Sequence, residues 1–68
     1  MDIYPNPSNG RSEILTDKVI KHIYIYNVEG KLLKKQSSKI ILLDSVGTYF
    51  LKIVFSDDSS VIKTLFNR

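Results

Sequence analysis

The sequence predicts an all-β fold, a small sandwich or barrel of about six short strands. Three observations carry that expectation. Turn-forming clusters recur at intervals of about 8–12 residues. The windows between them are rich in Val, Ile, Tyr and Phe, which suit a pleated, half-buried surface. No apolar period near 3.6 residues persists long enough to make a helix.

The opening Met1-Asp2-Ile3-Tyr4-Pro5-Asn6-Pro7-Ser8-Asn9-Gly10 is dense with helix breakers. Pro5 and Pro7 each fix φ and push the preceding residue toward extended geometry. Ser8, Asn9 and Gly10 supply turn chemistry. Residues 1–10 therefore read as a strap ending in a tight turn, and residues 11–68 as the β body. Asn6-Pro7-Ser8 has the outline of a glycosylation acceptor, but its middle proline disqualifies it.

Residues 11–16 form a short strand candidate containing Ile14 and Leu15. The first strong signal is 19–28, VIKHIYIYNV. Val19, Ile20, Ile23 and Tyr24 fit a helical spacing, yet the β-branched and aromatic content favours a strand. Ile23 and Ile25 then point one way, and Tyr24, Tyr26 and Val28 the other. Val28-Glu29-Gly30 makes a hairpin connection, with Gly30 where positive φ is tolerated. Lys31–Gln36 returns as a lysine-rich strand, and Ser37-Ser38 turns again. Lys39–Leu43 is apolar on both faces, as a buried central strand would be. After Asp44-Ser45-Val46-Gly47 comes the longest strand, Thr48–Phe55, with Tyr49, Leu51, Ile53 and Phe55 on its core face. Ser56-Asp57-Asp58-Ser59 is a polar hairpin loop, and Val61–Phe66 closes the body.

At 68 residues the chain is one domain, without space for a deep pocket. Cysteine is absent, so the fold must hold without disulfides. The N-terminus lacks the charged and apolar regions of a signal peptide, and no apolar run reaches membrane-spanning length. If the protein leaves the cell, its primary export signal is expected upstream. A net charge of +3 is ordinary for solubility and too thin for a nucleic-acid stripe. Lys31, Lys34, Lys35 and Lys39 are interleaved with leucines, a pattern that blunts a sheet edge.

Catalytic and metal chemistry find little support. His22 is the single histidine and has no companions for a ligand set. Serines are plentiful, but no nucleophile elbow accompanies them. Asp57 and Asp58 lack the oxygen-ligand spacing of a calcium loop and read as turn formers. The glycines are solitary, so no phosphate loop exists. Tyr24 and Tyr26 share a face and leave open an alternative, an accessory module gripping a glycan or a protein. No catalytic residue, metal, cofactor, small-molecule substrate or nucleic-acid partner is expected.

Three segments, in order and covering nearly the whole chain, carry a resemblance. Tyr4-Pro5-Asn6-Pro7-Ser8-Asn9-Gly10 resembles the YPNPxxG opening of the C-terminal sorting domains of type IX (Por) secretion. Ile25-Tyr26-Asn27-Val28-Glu29-Gly30-Lys31-Leu32-Leu33 resembles that family's hairpin, and Gly47-Thr48-Tyr49-Phe50-Leu51-Lys52 its GxYxxK strand. A last strand containing Lys63 follows. Each motif alone is weak; their order and separation make the likeness specific. The chain departs from the pattern at Val46, at Thr64 and in a short 43–47 connection.

The resemblance implies an Ig-like β-sandwich of six to seven short, mainly antiparallel strands. It implies a non-catalytic domain at the tail of a larger secreted protein of Bacteroidetes-type bacteria. The partners it implies are an upstream cargo domain, the type IX translocon and shuttle proteins, and a surface sortase-like peptidase. That peptidase would cut before or near Met1. Cargo would cross the periplasm and end at the outer-membrane surface or outside the cell. The recognition candidates are Pro5, Asn6, Pro7, Gly10, Tyr26, Asn27, Gly30, Lys31, Gly47, Tyr49, Lys52 and Lys63. Pro5 and Pro7 are expected to stiffen the junction with the cargo, and the three glycines to meet backbone demands at turns. Lys52 and Lys63 are expected to project their heads away from the core.

Overall fold

The computed structural model describes residues 2–68; Met1, and with it the expected cleavage region, lies outside the described residues. Seven strands run in order: β1 (Asp2–Tyr4), β2 (Arg11–Leu15), β3 (Ile20–Tyr26), β4 (Leu32–Gln36), β5 (Ile40–Leu42), β6 (Gly47–Phe55) and β7 (Ser60–Asn67). They form two sheets, β1-β2-β5 and β4-β3-β6-β7, and every strand pair is antiparallel. The molecule is a two-layer sandwich, not a closed barrel.

Period-two patterning decides which side chains meet between the layers. Ile23 and Ile25 of β3, Tyr49, Leu51, Ile53 and Phe55 of β6, and Leu65 of β7 are buried against Ile14 and Ile41 of the smaller sheet. Ile3, Ile20, Leu43 and Val61 pack around this cluster. The face expected for the longest strand is therefore the core face.

Two expectations change. The strap is partly a strand, because Asp2, Ile3 and Tyr4 pair with Leu15, Ile14 and Glu13. Apolar Ile40–Leu42 is not central. It pairs only with β2 and ends the smaller sheet, so Ile41 is buried while Leu42 is 57% exposed at the sandwich lip. The lysine-rich β4 lies at an edge, as its composition foretold.

Candidate functional site

The residues singled out by the motifs divide among four places. The first is the end of the sandwich where the strap crosses the last strand. There the Asn6 side chain acts as a surrogate strand along β7. Its Oδ1 accepts from the Phe66 amide at 3.0 Å, and its Nδ2 donates to the Thr64 carbonyl at 2.9 Å. Two edge groups that would otherwise invite another chain are thereby satisfied. Ser8 continues the contact, its amide donating to the Phe66 carbonyl at 2.7 Å and its carbonyl accepting from the Arg68 amide at 2.8 Å.

Behind Asn6, Asn67 forms a buried clamp. Its Oδ1 accepts from the Ser8 hydroxyl at 2.7 Å and from the Gly10 amide at 2.6 Å. Its Nδ2 donates to the Ser45 carbonyl at 2.8 Å, and the Tyr49 hydroxyl donates to that same carbonyl at 2.8 Å. Ser8 is 1% and Asn67 5% exposed, and every buried side-chain polar atom among the described residues has a partner. In a low-dielectric setting such a network is stabilising only when complete. One side chain thus joins the strap, the β5–β6 loop and the final strand.

Gly10 is fixed by this arrangement. Its φ is +94°, and a Cβ there would meet the Leu43 carbonyl oxygen at 3.3 Å. The Leu43 amide donates to the Gly10 carbonyl oxygen at 2.8 Å, so the backbone approach is close on both sides. Pro5 and Pro7 lie between β1 and β2, and the Pro5 carbonyl accepts from the Ser12 hydroxyl at 2.7 Å. The prolines shape a turn inside the domain and not a junction ahead of it, because β1 already belongs to the sandwich.

The second place is the β3–β4 hairpin. Asn27 Oδ1 accepts from the Glu29 amide at 2.9 Å and the Lys31 amide at 3.0 Å. The Asn27 backbone amide donates to the Lys31 carbonyl at 3.0 Å, and its carbonyl accepts from the Gly30 amide at 3.0 Å. Gly30 has φ +82° with open space where a side chain would go. Asn27, Gly30 and the Lys31 backbone therefore serve the turn.

The third place is the outer face of the four-stranded sheet. Tyr26 stands between Leu32 and Phe50, with Thr64 next along the row. The adjacent row reads Lys35, Tyr24, Lys52 and Ile62. Phe66, opposite Thr48, is 49% exposed and Ile62 67%. The Lys35 ammonium lies 5.6 Å from the Tyr24 ring centroid. His22 sits on the same strand face, its ring centroid 6.2 Å from that of Tyr24. Lys52 is exposed, as expected. Gly47 opens β6 with φ +157°, a backbone conformation that L side chains rarely adopt, so this glycine meets a backbone demand at its turn as expected.

Lys63 is the correction at the fourth place. It shares the inward parity of Val61, Leu65 and Asn67 and is half-buried. It lines two open grooves on the sandwich flank, one of about 330 Å³ with Phe55 and Val61, one of about 240 Å³ with Asp2 and Asn6. Lys63 lies at the margin of the sandwich beside Asp2 and Ile3 of β1, where a long side chain on the inward parity still reaches water.

The acidic loop is local chemistry. The Ser59 hydroxyl, and then the Ser59 amide, hold the Asp57 carboxyl below its usual range. Among the described residues, no group of three or more His, Cys, Asp or Glu could hold a metal ion.

Sequence reasoning missed Ser8, Ser45 and Asn67 as a unit. One signal was available: Asn67 falls on the inward parity two residues after Leu65, where a polar group needs buried partners.

Comparison with known proteins agrees with this layout. The family model described as a secretion system C-terminal sorting domain matches residues 2–67, which run from β1 through the clamp asparagine. No curated protein matches the chain. The chain belongs to the secretion-system C-terminal sorting domains and serves type IX secretion as a sorting signal for export, without being a catalyst itself.

Proposed function

We propose that this domain is the folded, detachable address of an upstream cargo protein. The type IX translocon and its shuttle proteins bind it in the periplasm and carry the cargo across the outer membrane. A sortase-like peptidase then cuts ahead of β1, and the cargo stays at the outer-membrane surface or leaves the cell. The observation that carries this reading is the reach of the family match, residues 2–67, over a sandwich whose first and last segments bond to each other. A module closed in this way can be appended to many cargoes without borrowing their structure. Its flank grooves are shallow and open, which suits an address better than a site for chemistry.

The test is a fusion of residues 2–68 behind a periplasmic reporter in a type IX-competent host. The reporter is expected at the cell surface or in the medium, with the domain removed. A fusion that folds yet stays in the periplasm overturns the reading.

A further inference from the structure

We propose that the outer face of the four-stranded sheet is the surface by which the secretion machinery holds this domain, and that its partner there is an acidic protein surface. The proposal rests on the sorting role and adds to it the place and the chemistry.

In a sandwich the outer face of a sheet is ordinarily its polar side. Here it carries Tyr24, Tyr26, Phe50, Val54, Ile62 and Phe66. A contiguous aromatic and aliphatic area of this kind marks an interaction site, and aromatic anchors are what protein interfaces favour at their centre.

Charge narrows the partner. Of the five lysines on strands β3, β4, β6 and β7, Lys35 and Lys52 stand on this face beside Tyr24, and these strands contain no carboxylate. The smaller sheet has Arg11 against Asp2 and Glu13. The ion pairs among the described residues are Lys18–Asp57 and Lys21–Asp58, at the end of the sandwich near the β6–β7 loop. Lys35 and Lys52 stand apart from them. They flank Tyr24 across two strand spacings, about 10 Å. A partner with carboxylates at that separation, and apolar groups above Tyr26 and Phe50, would meet both features.

A protein fits better than a glycan. The grooves of the molecule lie on its flanks and are lined by other residues, whereas this face is an open sheet, and small ligands prefer concavity.

The experiment is export of the same reporter fusion carrying Lys35→Glu with Lys52→Glu, beside the milder Lys35→Gln with Lys52→Gln. Arg11→Glu with Lys39→Glu supplies an equal charge change elsewhere. Melting of each purified fusion confirms that the domain is folded. The expected result is at least tenfold less export for the Glu pair, a smaller loss for the Gln pair and none for the control. Suppressors of the Glu pair should replace Asp or Glu by Lys in a secretion-machinery protein. Export of the Glu pair at the unmutated level, from a host that exports the unmutated fusion, overturns this proposal and leaves the sorting role standing. Failure of the unmutated fusion overturns the sorting role instead. Export followed by failure to remain at the surface would also overturn it, pointing to an anionic surface glycan as the ligand.

Discussion

The strap end and the outer face both contain residues of the family motifs, yet they are built on opposite principles. At the strap end the motif residues bond to partners inside the molecule: the Asn6 side chain to β7, the Gly10 backbone to Asn67 and Leu43, the Tyr49 hydroxyl to Ser45. On the outer face Tyr26 and Lys52 stand among exposed or half-buried neighbours, and Lys52 has no ion pair among the described residues. The difference teaches that a shared motif need not be a shared contact. Some of its residues make the domain, and others are left available to a partner.

Substitutions should separate the two regions by what they change. The largest effect belongs to Asn67→Ala, which orphans the Ser8 hydroxyl and the Gly10 amide in the interior. Each orphaned group costs about 1–3 kcal/mol, and in a domain of this size about 10 °C or more of Tm should be lost. Calorimetry checks this; a melt within 2 °C or so of the unmutated domain would mean the clamp is not structural.

Gly10→Ala should come next, costing about 1–3 kcal/mol for positive φ with the Leu43 oxygen crowding the new methyl group. Gly30→Ala should cost less, about 1 kcal/mol, because its surroundings are open. Equal losses in chemical denaturation would show that φ, and not the close approach, governs both. Lys52→Glu should leave stability within about 0.5 kcal/mol while export falls. A large stability loss would move Lys52 from the recognition group to the structural one.

The smallest effect concerns acid. The Asp57 pKa is lowered from the usual 3.8 by Ser59. A depressed carboxylate contributes stability that is present above the unfolded value and lost as pH falls through the folded one. In Ser59→Ala, NMR titration should place the Asp57 midpoint higher, nearer 3.8, and the acid-induced loss that Asp57 contributes should shrink. An unmoved midpoint would remove the hydroxyl from the explanation.

Much of this was legible in the chain. Alternation placed Ile23, Ile25 and the Tyr49–Phe55 face correctly, because side-chain parity is a local property of extended backbone. Gly30 and the Ser56–Ser59 loop declared themselves by turn chemistry. What stayed hidden is long-range. Asn6 and Ser8 meet β7 across nearly sixty positions, and nothing local marks Asn6 as an edge cap. Lys63 and Leu42 were misplaced for a related reason. Parity says which face a residue takes, but the place of its strand in the sandwich decides whether that face is covered.

The most direct test compares export of two fusions at a temperature where the Asn67→Ala domain is still folded. The account predicts that this clamp variant is exported like the unmutated domain, whereas the Lys35→Glu, Lys52→Glu variant is retained in the periplasm. Retention of the folded clamp variant together with normal export of the charge-reversed one would contradict it.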